Sequence, residues 1–363
     1  MDDTRANCVI PFNCIFHCQS GAYLGAGEIR VGCSGAPFNS AVCIVSGIEW
    51  RFAAFVPTKA AARSVQQYDR MTAFASFRFR RFDSALGAEI GGLDLSQPLG
   101  EETVAEVRQA LLDSNALLVL RDQSITPAEH IAFSRRFGPL MIHVLHRYAL
   151  PDHPEILRIS NVIENGEPIG LGDAVEYWHS DLSYTPEPSL GSLLHALELP
   201  PEGGDTSFAS MTAAYDALAA DIKDRIETRY AVHSYTHRYD RLSGSAWRPP
   251  LSPQQRLEVP EVAHPMVRTH PETGRRCLFV SEGFCARVRD LREAEGRALL
   301  KFLYYHSTEP RLVYRHRWRD HDLLFWDNRC TIHMAHGCPP RFRRHMHRTT
   351  IKGDAPRLSR PDA

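Results

Sequence analysis

From Met71 onward, hydrophobic and polar positions follow two different periods. Phe77-Arg78-Phe79-Arg80-Arg81-Phe82 alternates as a strand does, and Gly87 to Leu95 continues the same texture. Between Glu102 and Asp113, the residues Val104, Val107, Leu111 and Leu112 recur at helical spacing, and the run Ala116 to Leu120 behind them predicts a buried strand. Thr126-Pro127-Ala128-Glu129 is a helix start: a capping hydroxyl, a proline at the first helical position and a glutamate three residues after the cap. That helix is expected to stop at Gly138, where the lack of a Cβ permits a left-handed turn. Met211 to Glu227 and Arg292 to Tyr305 predict further helices, and Arg275 to Val280 and Asp322 to Trp326 predict short strands. The expectation is an α+β fold, with a β-core and helices packed outside it, in one domain over residues 71–355 followed by a short tail at 356–363.

The first seventy residues lack either period. They hold few acidic residues and five of the nine cysteines (Cys8, Cys14, Cys18, Cys33 and Cys43). This stretch reads as a loosely attached extension or as the product of a mis-assigned start. Cys277, Cys285, Cys330 and Cys338 are scattered, no two cysteine pairs have zinc-site spacing, and all are read as free thiols.

Composition and charge narrow the function. With a formal net charge of −1, the chain has no global excess of positive charge to meet nucleic-acid phosphates. No apolar run approaches the roughly 20 residues that span a bilayer. The opening Met1-Asp2-Asp3 is not the basic start of a secretory signal, so the expected location is the cytoplasm and no membrane partner is expected.

Two segments carry the chemistry. In Trp178-His179-Ser180-Asp181, residues two apart on an extended chain point the same way, so His179 and Asp181 can reach one metal ion. Such a pair recurs by chance, and alone it fits a surface histidine beside a solvated carboxylate. Trp326-Asp327-Asn328-Arg329-Cys330-Thr331-Ile332-His333 supplies a possible third ligand, and two imidazoles with one carboxylate suit non-haem iron(II). Zinc accepts the same set, and His336, His345 and His347 compete with His333. Further on, strand alternation places Arg344, Met346, Arg348 and Thr350 on one face.

The segments 178–181, Gly203-Gly204-Asp205-Thr206, Trp326 to Arg329 with His333, and Met346-His347-Arg348-Thr349-Thr350 together resemble the taurine dioxygenase family, which includes the aryloxyacetate dioxygenases. The resemblance runs from about Phe77 to Asp354. It implies a double-stranded β-helix (jelly roll) with flanking helices, and a homo-oligomer. It implies Fe(II) held by His179, Asp181 and His333, with 2-oxoglutarate and O2 as co-substrates. It also assigns the 2-oxoglutarate carboxylate to Arg348 and Thr206. The implied reaction hydroxylates a C–H bond and releases succinate and CO2. The carboxylate at Asp181 favours hydroxylation over halogenation, which would need that position vacant for a halide.

For the substrate, Arg344 as a second inward cation predicts a small anionic molecule. The resemblance places His143 against its acid group and Phe284 in the pocket wall. Two positions depart from a taurine site: His146 stands where the family has a tyrosine, and Val175 where it has an asparagine. The expected substrate is therefore a sulfonate such as taurine or a related acid, with an aryloxyalkanoate or a sulfate ester as the alternative. Two readings of another class are a zinc hydrolase, which leaves Thr206 and Arg348 without a role, and a non-catalytic jelly-roll binding protein, which would not need the intact triad.

Overall fold

Apolar residues on both faces of Leu117–Leu120 and Leu323–Asp327 bury these strands completely, and they form the middle of an eight-stranded sheet. The computed structural model in which this is seen describes residues 40–45, 48–53, 74–172, 176–243 and 247–358. The chain divides into two units, residues 1–70 and 71–363. In the first, Ser40–Val45 pairs antiparallel with Ile48–Ala53. Cys8, Cys14, Cys18 and Cys33, and in the second unit Val175, lie outside the described residues.

From one edge to the other, the large sheet of the second unit runs Arg78–Arg81, Ala88–Gly91, Leu117–Leu120, Leu323–Asp327, Ser189–Glu198, His345–Lys352, His153–Ser160 and Ala149–Leu150. Its pairings are antiparallel except for the parallel pair Ala88–Gly91 and Leu117–Leu120. A three-stranded antiparallel sheet, Val313–His316, Thr206–Ser210 and Thr331–Ala335, packs against it. Phe208 of the small sheet lies 5.4 Å from Trp326 of the large one, in an apolar cluster with Leu194, Leu324 and Met346. A third sheet, Val262–Pro265, Tyr230–His233 and Cys285–Val288, is backed by the helix Glu293–Ser307, which buries Leu299, Leu300 and Leu303. No helix among the described residues is long and apolar enough to cross a membrane. Cys277, Cys285, Cys330 and Cys338 are free thiols.

Local signals set most boundaries. The helix Pro127–Arg135 begins on a complete capping box between Thr126 and Glu129. It stops earlier than expected, at Arg135. Gly138 instead permits a close approach: at φ +150° it passes under Ile351, whose Cγ2 would lie 2.9 Å from an added Cβ. The stretch expected as one helix from Met211 to Glu227 is two helices, Met211–Asp216 and Ala220–Ile226. Between them the chain turns on a Leu218 to Tyr215 backbone bond and buries Leu218 in the core. Helical periodicity survives such a break because the apolar residues on both sides face the same core.

Several histidines are sealed inside. Burial first, then neighbouring imidazoles, pushes the pKa of His130, His233 and His347 down to about 3. They are neutral in the fold and take up protons on unfolding below about pH 6.5, so their stabilisation is complete above that pH and is lost as pH falls toward 3. The urea midpoint is therefore expected to fall steadily between pH 6.5 and 4.5. A flat profile across that window would contradict the buried neutral state.

Candidate active site

The site begins with a backbone pairing. His179 N–H donates to the His333 carbonyl at 3.0 Å, and His333 N–H donates back to His179 at 2.8 Å. This bridge adds His179 to the edge of the small sheet and sets the two imidazoles 4.1 Å apart between ring centres. The chain approaches closely here: a Cβ on Gly283 would meet the Tyr177 ring at 2.5 Å and His179 Cβ at 3.0 Å. His179 Nδ1 is 3.1 Å from the Tyr177 carbonyl, an acceptor that fixes the proton on Nδ1 and leaves Nε2 as a ligand atom.

Asp181, two residues on, completes the set. Its carboxylate oxygens lie 3.7 Å from His179 Nε2 and 3.8 Å from His333 Nε2, and the three side chains offer ligand atoms within 4.8 Å of one another. A first-row divalent ion, with bonds of about 2.0–2.2 Å, spans such a gap. Leu182 follows in a left-handed conformation at φ +54°, a costly state for a branched side chain of the kind that collects at functional sites. Ser189 Oγ pins the Asp181 carbonyl at 3.0 Å and thereby holds the turn.

Partners outside the triad orient Asp181. Ser192 donates to Oδ2 at 2.7 Å, and Arg348 Nη1 donates to Oδ1 at 2.6 Å. The Asn328 amide ties the pieces together: its Oδ1 accepts from Asp181 N–H and Trp326 Nε1, and its Nδ2 donates to Ser192 Oγ. This gives the Trp-Asp-Asn segment a physical purpose that spacing did not reveal. Burial alone would raise the Asp181 pKa; Arg348, then His333 and His179, and the Ser192 hydroxyl outweigh it and hold the carboxyl below the usual range. Burial lowers both triad imidazoles, which are thus neutral and ready to ligate.

The described residues contain one more cluster of metal-ligand type, His270, Asp327 and Cys330. Its chemistry is already satisfied. Arg329 neutralises Asp327, while His270 donates to Asp327 from Nε2 and accepts the backbone N–H groups of Glu272 and Thr273 at Nδ1. Asp327 and Arg329 form a structural ion pair at the end of the strand Leu323–Asp327.

One cavity joins the triad to Thr206, Arg344, Arg348, His143 and Phe284. Within it the two arginines occupy different surroundings. Arg348 is paired with Asp181 beside the two imidazoles. Arg344, preceding the strand His345–Lys352, packs on Gly204 and donates from Nε to its carbonyl at 3.3 Å. Gly203 and Gly204 have φ of +76° and +74°, and this double left-handed turn presents the carbonyl. Arg344 has no carboxylate partner among the described residues, and burial draws its pKa down to about 10. Thr206 follows the same turn, with its Oγ1 accepting from Trp318 Nε1 at 3.0 Å.

His143 also belongs here. Leu145 N–H donates to its Nδ1 at 3.1 Å, so the ring proton sits on Nε2. Burial, with Arg348 next, pushes its pKa down to about 3. His146 does not reach the cavity. In the one-turn helix His146–Tyr148 the buried member is Tyr148, which leaves His146 exposed. Sequence reasoning missed Tyr177, Tyr184, Tyr235 and Arg248, which line the same cavity. All come from loops or helix starts, where no periodicity marks an inward face.

Removing the Ser192 hydroxyl should leave the fold intact while loosening Asp181. Ser192→Ala is expected to weaken Fe(II) or Mn(II) binding by about tenfold or more, measured by metal titration. Unchanged affinity would show that the Arg348 and Asn328 contacts suffice.

Comparison with known proteins agrees with this geometry. Residues 78–350 match the family model "Taurine catabolism dioxygenase TauD, TfdA family". The chain is 38% identical over 279 residues to the α-ketoglutarate-dependent 2,4-dichlorophenoxyacetate dioxygenase of Cupriavidus pinatubonensis, covering 74% of this chain and 95% of that one. It is 33% identical to pentalenolactone F synthase of Streptomyces avermitilis, over 75% of this chain and 93% of the relative. Among solved structures, AAD-2 in complex with Mn(II) and N-oxalylglycine superposes with a TM-score of 0.65 at 32% identity, over 77% of this chain and 98% of that one. On this scaffold the chain is an α-ketoglutarate-dependent dioxygenase, an oxidoreductase using Fe(II), 2-oxoglutarate and O2, and it holds an intact His-Asp-His set able to bind a metal ion. The chain belongs to the TauD/TfdA dioxygenase family.

Proposed function

We propose that this dioxygenase hydroxylates a C–H bond of a small organic acid with an apolar or aromatic body. The observation that carries this reading is one cavity holding the triad, two separately placed guanidinia and the rings of Tyr177, Tyr184, Tyr235 and Phe284. We read the two facing sheets around it as a double-stranded β-helix, with residues 71–355 as the catalytic unit.

Bound by His179, Asp181 and His333, iron(II) supplies the oxygen chemistry that couples decarboxylation of 2-oxoglutarate, to succinate and CO2, with substrate hydroxylation. The protein's own residues hold the two acids apart. Thr206 lies two residues from Phe208, whose ring stacks on His333, so it sits on the same face one period along the strand. That displacement suits a carboxylate lying two methylenes beyond the metal-chelating end of 2-oxoglutarate. Because Trp318 is only a donor, the Thr206 hydroxyl accepts from it and keeps its own proton for that carboxylate. Arg344, buried beside the same turn without a carboxylate of its own, supplies the cation. Arg348, beside Asp181, and His143, with its proton on Nε2, then face the substrate acid. The roles of the two arginines are thus the reverse of those expected from the sequence.

The aromatic walls fit an aryloxyalkanoate or another acid with an apolar body better than taurine, whose ammonium would be left unpaired against them. Oxygen uptake by the iron-loaded enzyme with 2-oxoglutarate is expected to rise more with 2,4-dichlorophenoxyacetate than with taurine. Greater stimulation by taurine would overturn the apolar-body reading.

Arg344→Ala is expected to raise the KM for 2-oxoglutarate by about 10- to 100-fold, the loss of a charge-assisted hydrogen bond. Arg348→Ala should act mainly on the KM for the organic acid. The opposite pattern would restore the first assignment of the two residues. A chain beginning at Met71 should keep the turnover and melting temperature of the full chain, and a loss of either would give residues 1–70 a part in the catalytic unit.

A further inference from the structure

The cavity has a third guanidinium that neither the family motifs nor the β-core supplies. Arg248 sits in Trp247-Arg248-Pro249-Pro250, a segment without secondary structure, yet it is only 3% exposed. The backbone on either side is fixed by buried tyrosines. Tyr148 donates its hydroxyl to the Trp247 carbonyl at 2.7 Å, and Tyr239 donates to the Pro249 carbonyl at 2.8 Å. The Trp247 ring lies over Gly172, where an added Cβ would come within 2.7 Å of it. The Arg248 guanidinium stands 5.5 Å from the centre of the Tyr239 ring. A loop held at three points in this way delivers one cation inward.

Its position differs from that of Arg348. Both line the cavity with the triad, but Arg248 also lines the adjoining recess formed by Glu176, Arg238, His336 and Cys338. Arg348 instead lines a second neighbouring recess, with His143, Met141 and Leu145. A small acid in the shared cavity therefore lies in a space lined by both guanidinia.

We propose that Arg248 is a specificity-determining residue that binds the acid group of the substrate together with Arg348 and His143. This rests on the organic-acid reading above and names the residue that enforces it. Arginine suits this role because its planar fork donates two parallel hydrogen bonds to a carboxylate, sulfonate or sulfate ester. Buried beside aromatic rings, its positive charge also favours an anionic ligand over a neutral one, because only the anion offsets that charge.

The test compares an acid with its neutral counterpart on the same protein. Binding of 2,4-dichlorophenoxyacetate and of 2-(2,4-dichlorophenoxy)ethanol to the full chain, loaded with iron(II) and 2-oxoglutarate without oxygen, is measured by calorimetry. In Arg248→Met the preference for acid over alcohol is expected to fall about tenfold or more, through weaker acid binding. Arg248→Lys should recover part of it, and 2-oxoglutarate binding should change little in either variant. Because the readout is a ratio taken on one sample, a smaller folded fraction cancels. If Arg248→Met keeps the full preference while Arg348→Met loses it, Arg248 is structural and the organic-acid reading stands. If the unaltered protein does not bind the acid, or shows no preference for it, both proposals fall.

Discussion

The reciprocal backbone hydrogen bonds between His179 and His333 are the constraint on which the rest of the site depends. They join two segments far apart in the chain and fix both imidazoles relative to one sheet. Everything else is measured from that bridge. Asp181 lies two residues beyond one end of it. Phe208 pairs with His333 across the small sheet, which places Thr206 one strand period further along. Ser192 and Asn328 then bring the large sheet into contact with Asp181, so the His-Asp-His set draws on both sheets at once. Strain at Leu182 and close packing at Gly283 are consequences of forcing this convergence into a small space.

Charge explains how, on the proposed reading, the same space would sort two acids. The charged residues lining the cavity are one carboxylate, Asp181, and three guanidinia, from Arg248, Arg344 and Arg348. Cations buried together repel one another and carry a desolvation cost, which anionic ligands and their hydrogen bonds relieve. Arg348 has a partner in Asp181 at 2.6 Å, whereas Arg344 rests on the Gly204 carbonyl. On the proposed reading, the cation with less compensation, beside the Thr206 hydroxyl, would be the stronger site for the distal carboxylate of 2-oxoglutarate.

Much of the scaffold was legible in the sequence because its signals are local. The Thr126 capping box, the helical spacing from Val104 to Leu112 and the apolar run at Leu117 each state their own geometry. The His-x-Asp spacing likewise places two ligands on one face, and the family motifs singled out His333. What the sequence withheld depends on contacts across the fold. Alternation puts Arg344 and Arg348 on one face but cannot say that Gly204 packs against the first and Asp181 against the second. The same limit applies to His146, turned outward because Tyr148 takes the interior, and to the break after Asp216, where the apolar pattern runs on through two helices. Arg248 was silent because a proline-flanked loop has no period, and its direction is set by the hydroxyls of Tyr148 and Tyr239.

The make-up of the cavity also decides which kind of selectivity the enzyme can have. Apolar and aromatic walls distinguish bodies weakly, since one methylene in such a pocket changes binding by only about 1–3 kcal/mol. Buried donors distinguish groups strongly, because a ligand lacking the acceptor leaves them unpaired in a medium of low dielectric. The rings of Tyr177, Tyr184, Tyr235 and Phe284 form walls of the first kind, and the guanidinia with His143 are donors of the second. On the proposed reading, the site would therefore be strict about the acid group and permissive about what is attached to it. A single fold of this design could then serve different organic acids through changes in its walls, while the cations beside the His-Asp-His set stay in place.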